Sequence, residues 1–130
     1  MLRRALSASV FFNLGGALAF AFPGSVGRLV GLPAPVPPLY AFSMAFLVAL
    51  FAGTYAWLAR QPEIDRPMVA FFALGKAGFF LVTFACWLGG AASTLFVLAA
   101  TGDLVFAVIF AWCLLAAPDP STAAARARAA

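Results

Sequence analysis

Four apolar runs, separated by polar or turn-forming breaks, organise the chain. The first, Ala5 to Phe22, follows Arg3 and Arg4 and stops at Pro23 and Gly24. The second runs from Leu39 to Ala59 and ends at Arg60. The third, Met68 to Leu88, is interrupted only by Lys76 and breaks at Gly89 and Gly90. The fourth begins at Ala92, is interrupted only by Asp103 and ends at Pro118. Each run is close to the ~20 mostly apolar residues that carry a helix across hydrocarbon. The pattern predicts an all-α integral membrane protein, a four-helix bundle running up-down-up-down. Its spans are expected at about 5–22, 39–59, 68–88 and 92–117, within a domain of residues 1–118. The small polar tail, 119–130, is expected to be disordered.

The breaks add detail. In the longest, 23–38, Ser25 is placed to cap a short turn carrying Val26, Leu29 and Val30, with Arg28 at its polar edge. That arrangement predicts a short interfacial helix after the first span. Pro33, Pro35, Pro37 and Pro38 then force an extended path, because proline fixes its own φ and restricts the residue before it. The second break holds Pro62, Glu63, Asp65 and Arg66 and must lie outside the hydrocarbon. The first run also has the layout of a signal peptide, with a basic start and Ala19-Phe20-Ala21 as a small-x-small site. It is long for a signal core, so a retained helix is expected.

Composition agrees with the pattern. Hydrophobic residues make up 65% and charged residues 9%, whereas soluble domains are nearer a half and a quarter. A soluble fold of 130 residues has too little interior for so much apolar surface, so the lipid bilayer is the expected partner. The net charge of +4 is spread in ones and twos at helix ends, which excludes nucleic acid as a partner. Arg3, Arg4, Arg60, Arg66, Arg126 and Arg128 fall on one side of the predicted topology and only Arg28 on the other. The excess of arginine places both termini in the cytoplasm.

The candidate chemistry is sparse. The chain has no histidine and two cysteines, Cys86 and Cys113, which form no CxxC pair. They fall near opposite faces of the membrane, too far apart for a disulfide, and read as small hydrophobes. No metal site, cofactor or catalytic constellation is expected, and the protein is read as a non-enzyme. Trp57, Trp87 and Trp112 lie near span ends, as an interfacial belt does.

Small residues recur every fourth position: Ala5, Ser9, Asn13, Ala17 and Ala21; Ala41, Ala45, Ala49 and Gly53; Ala99, Asp103, Ala107 and Ala111. These stripes are expected to be packing faces, since small residues let membrane helices approach. Lys76 and Asp103 are the only charges inside a span. Each alone costs ~3 kcal/mol in hydrocarbon. Their helices are joined by a short turn, and Gly75, Gly78 and Gly102 leave room beside them, so a buried Lys76–Asp103 pair is expected. Asn13 and Tyr55 fall at a similar depth and complete a predicted central cluster; Thr54 and Thr83 are near it. The cluster reads either as a structural pin that fixes helix register or as a ligand-binding or proton-passing site.

The segment from Leu29 to Leu114 resembles a broad group of small bacterial four-helix membrane proteins. The elements that carry the resemblance are Arg28-Leu29-Val30-Gly31-Leu32-Pro33, Tyr55 with Ala59-Arg60 and Pro62, Arg66, Gly75-Lys76, and Gly102-Asp103-Leu104 with Phe106. In size and helix count it is also similar, loosely, to the DoxX-type membrane proteins. The resemblance implies a bacterial inner-membrane location and no agreed activity. Small multidrug exporters need a glutamate in the first helix, where this chain has Asn13. Membrane glutathione transferases need a histidine-containing site, and fluoride channels carry motifs absent here. The expected function is a non-enzymatic accessory or assembly subunit, or a binder of a small apolar ligand of lipid or quinone type. The alternative is a small transporter or channel, working as a homo-oligomer or within a larger complex and using the Lys76–Asp103 pair.

Overall fold

The computed structural model describes residues 1–33 and 35–116. The expectations for the tail and for the end of the last span lie outside the described residues. Four helices, α1 (Leu2–Ala21), α2 (Pro38–Arg60), α3 (Arg66–Leu88) and α4 (Thr94–Ala116), are each long and apolar enough to cross a membrane. They form an antiparallel bundle in which α1 packs on α2, α3 on α4, and α1 on α4.

Local chemistry explains where each helix starts and stops, and why the bounds differ from the apolar runs. Helix α1 starts at Leu2, so Arg3 and Arg4 sit inside its first turn rather than ahead of it. Helix α3 starts at Arg66 because Asp65 is its N-cap: the Met68 N–H donates to Asp65 Oδ1 at 3.0 Å. Pro67 follows in the first turn, where the missing N–H costs nothing. At the far end of α3, Gly90 has φ +75°, the left-handed conformation that glycine adopts without strain. The Ala91 N–H then reaches Cys86 O at 2.8 Å and the Gly90 N–H reaches Trp87 O at 2.9 Å, which satisfies the last carbonyls of the helix. Helix α4 starts after Ser93, whose hydroxyl accepts from the Phe96 N–H at 3.1 Å, rather than at Ala92.

The break after α1 is built differently from the expected Ser25-capped helix. It is a π-helical turn, Pro23–Gly27, closed by the Gly27 N–H on Phe22 O at 3.0 Å. Ser25 caps nothing; its hydroxyl donates backwards to Phe22 O at 3.5 Å. A second glycine closure follows, with the Leu32 N–H on Gly27 O at 2.9 Å and Gly31 at φ +75°. The Ser93 hydroxyl donates to Gly31 O at 2.6 Å. One side chain thus caps α4 and fastens the long loop to it.

The small-residue stripes are only partly interior. In α1, Ala5, Ser9, Asn13 and Ala17 are buried. In α2, Ala41 and Ala45 are buried but Ala49 and Gly53 are exposed; the buried positions continue instead through Ala52, Tyr55 and Leu58. In α4, Ala107 is buried and Ala111 is exposed. A strict step of four advances about 40° beyond a full turn, so such a stripe winds off any straight face. The inward positions on α3 and α4, the buried Val69, Phe72 and Lys76, then the buried Ala100, Ala107 and Phe110 with the half-buried Asp103 between them, alternate steps of three and four, as helices packed at a shallow angle require.

Two aromatic layers fill the bundle. At the end carrying Met1, Tyr55, Phe72 and Phe110 pack with Leu6, Leu58 and Val69, all at most 2% exposed. The Tyr55 and Phe72 rings meet edge to face at 4.4 Å, and Phe51 bridges to both Phe71 and Phe72, so large rings wedge α2 apart from α3. Near the opposite end, Phe20, Phe79 and Phe96 form a mutual edge-to-face trio, the orientation aromatic quadrupoles favour.

Candidate functional site

Between these two layers lies a polar layer centred on Lys76, which is 3% exposed. Its ammonium donates to Asp103 Oδ1 at 2.7 Å and to Asn13 Oδ1 at 3.0 Å. Helices α1, α3 and α4 are therefore tied at one point. Asn13 turns its amide N–H towards Val48 O at 3.5 Å, a long contact that reaches α2. The 2.7 Å bond is in the range of charge-assisted pairs. Lysine and aspartate cancel in charge, so the layer is neutral as a unit.

Three rings enclose the ammonium. The Phe12, Phe106 and Tyr55 centroids lie 5.0, 5.1 and 5.4 Å from Lys76 Nζ, within the ~6 Å range of cation–π attraction. Phe12 reaches this position because residue 102 is glycine: a Cβ there would overlap the Phe12 ring. Gly75 and Gly78, expected to give room beside the lysine, do not do so, since a Cβ at either meets nothing within 4 Å. Asp103 is less enclosed than its partner, its side chain 13% exposed against 4% for Lys76.

The structure thus brings Asn13, Tyr55, Lys76 and Asp103 together. Thr83 is buried on the same face of α3 but spends its hydroxyl on Phe79 O. Thr54 faces away from the cluster, bonded to Leu50 O, on a shallow outward groove of α2 that Phe46, Ala49, Leu50, Gly53 and Trp57 also line. Phe12 carried no signal in a chain with fifteen phenylalanines, and Phe106 stood out only as part of the resemblance, not as a wall of the site. Ser9 was visible only as a small residue on a stripe. It is fully buried, and its hydroxyl has no hydrogen-bond partner among the described residues. Cys86 and Cys113 are both free thiols. No cluster of residues that could hold a metal ion occurs among the described residues.

No family model, curated protein or solved structure matches this chain. The ammonium is bonded, paired and walled by rings, an arrangement that can hold helices in register.

Proposed function

We propose that this protein is a non-enzymatic membrane component, an accessory subunit or apolar-ligand binder that works through its outer surface. The reading includes a bacterial inner membrane with both termini on its cytoplasmic side, which the arginine distribution along the sequence supports. The observation that carries the reading is the enclosure of Lys76: its charge is spent on Asp103 and Asn13 within three rings. A buried pair with added hydrogen bonds specifies which helices meet and at what register. What remains for function is the lipid-facing surface, where Phe42, Phe46, Leu74, Leu98 and Val108 are among many large exposed side chains.

A second reading, a small oligomeric transporter, draws on the partial exposure of Asp103. One experiment separates the two. Lys76→Met with Asp103→Leu removes both charges together. A cell lacking the protein is complemented with the double variant, and membrane insertion is checked alongside. Full complementation is expected of a structural pin. A variant that inserts normally yet fails to complement overturns the reading in favour of a site. Orientation is tested separately: a reporter active only in the periplasm, fused after Ala130, is expected to stay silent.

A further inference from the structure

Helix α2 carries on its outer side a groove of about 490 Å³, lined by Phe46, Ala49, Leu50, Gly53, Thr54 and Trp57. Phe46, Leu50 and Trp57 are each more than half exposed and form its walls. Between them the small residues Ala49 and Gly53 leave space, and a Cβ added at Gly53 meets nothing within 4 Å. Thr54 supplies the one hydroxyl of the lining and donates it to Leu50 O at 2.9 Å. The groove therefore offers an occupant apolar contact and no free donor.

The groove leads to a cation. Helix positions three, four and seven apart share a face, so Phe46, Gly53, Trp57 and Arg60 line one side of α2. Arg60 is exposed in the last turn and bonds Ala56 O of its own helix. No carboxylate pairs with it among the described residues. A second guanidinium is held beside it, because Arg3 donates to Ala59 O and Pro62 O. From Phe46 to Trp57 the helix rises about 16 Å, close to one leaflet of hydrocarbon, which is half of ~30 Å. The groove thus begins at headgroup level, where tryptophan and arginine belong, and ends near the bilayer midplane.

We propose that this face binds one anionic phospholipid, with an acyl chain along the groove and the phosphate on Arg60. A run of methylenes matches the apolar lining and its length, and a phosphate oxygen accepts from the guanidinium. Charge decides against a second copy of this chain as the occupant. Two copies inserted in the same direction and paired through this face would bring Arg60 towards its own counterpart, and like charges repel. A zwitterionic lipid carries a compensating cation and gains less from the arginine. Binding here rests on the reading of an outer ligand-binding surface. Lipid retention is measured on purified protein, whereas that reading is decided by complementation in cells, so either can fail alone.

Full-length protein in detergent is titrated with phosphatidylglycerol or with phosphatidylcholine of the same acyl chains, and bound lipid is counted by native mass spectrometry. One phosphatidylglycerol is expected to bind about fivefold more tightly than phosphatidylcholine, the scale of a single interfacial arginine. Arg60→Gln is expected to bring the two lipids level. Gly53→Leu fills the groove from a position with open space around it; it is expected to weaken both lipids without lowering the melting temperature of the lipid-free protein. Ala49→Leu fills the same groove and gives the same reading if the leucine at 53 prevents insertion. Equal binding of the two lipids by the natural protein overturns the proposal. A preference that survives Arg60→Gln overturns it too, by moving the anion to another arginine, and undiminished binding in the leucine variants removes the acyl chain from the groove. A dimer of the natural protein that the leucine variants dissociate also overturns it, giving the face to a second copy.

Discussion

The cations inside the bundle and at its rim do comparable geometric work at very different depths. Lys76 ties α1, α3 and α4 in the middle. At the end carrying Met1, Arg3 of α1 donates to Ala59 O at 2.8 Å and to Pro62 O at 2.7 Å. Arg66 of α3 donates to Leu114 O of α4, and Arg60 returns to Ala56 O of its own helix at 3.1 Å. The arginines therefore satisfy the free carbonyls that end α2 and α4, where the helix dipoles also favour positive charge. At the opposite end the same task falls to uncharged groups, namely Gly90, Gly31 and the Ser93 hydroxyl. The arginine asymmetry that bears on orientation thus has a second cause, helix capping. Depth separates the two kinds of cation: bulk water competes for the rim bonds, whereas Lys76 is 3% exposed.

The strongest test of that contrast removes the interior counter-ion. Asp103→Asn leaves a buried ammonium without its charge partner, and the expected loss is about 3–5 kcal/mol of stability. Lys76→Met with Asp103→Leu is expected to recover most of it, because removing both charges also removes the desolvation cost. Thermal melting of the natural protein and the two variants in one detergent reads this out. A single variant as stable as the natural protein breaks the comparison, since the interior cation would then behave like one at the rim.

The second test moves to the opposite end, where Gly31 and the Ser93 hydroxyl meet. Gly31→Ala places a Cβ at φ +75° that would overlap Ser93 Oγ and lie 2.9 Å from the Phe96 backbone nitrogen. Backbone cannot yield, and a non-glycine residue in this conformation costs of order 1–3 kcal/mol by itself. The loop is expected to detach from α4, with faster amide exchange at Phe96 as the local signature. Unchanged exchange and stability would mean that the uncharged end is not held by this contact.

Much of the interior was legible beforehand, for physical reasons. Two lone charges inside apolar runs must find each other, and the short α3–α4 connection leaves them neighbouring helices, so Lys76, Asp103 and Asn13 could be grouped before any contact was seen. The rings could not: a phenylalanine that faces lipid and one that covers an ammonium look alike in an apolar helix. The outward drift of Ala49 and Gly53 was misjudged because a spacing of four is not a helical period. The bridges from Arg3 and the clasp from Ser93 were hidden because their acceptors are backbone carbonyls, which every residue carries. Ser9 could be placed on a face, but that its hydroxyl lacks a partner is a property of three-dimensional packing.

A third test perturbs the wall of the interior site without touching its charges. A Cβ at Gly102 overlaps only the far edge of the Phe12 ring, and a ring can swing aside. Gly102→Ala is therefore expected to cost about 1 kcal/mol, at the low end of overpacking. Because Phe12 moves, the Lys76 amine resonance should shift although lysine, aspartate and asparagine are all retained. An unmoved resonance would show that Phe12 contributes nothing to the ammonium's surroundings.

The smallest expected effect belongs to the rim. Arg3→Ala removes two hydrogen bonds to carbonyls that water can replace, so the loss should be below about 1 kcal/mol, the usual scale of exposed charged contacts. Arg3→Lys keeps the charge but replaces a planar fork by a point donor, which cannot match two separate carbonyls with the same geometry. If the bridge matters through its fork, lysine should behave like alanine in melting experiments; if it matters through the dipole at the end of α2, lysine should restore the natural value. The dipole contribution should also fade as salt is raised, since screening acts on exposed charges over about 10 Å at 0.1 M. Neither substitution should approach the loss expected from Asp103→Asn. An Arg3→Ala loss of that size would mean that the rim is as dry as the interior, and depth would no longer explain the difference between the two cations.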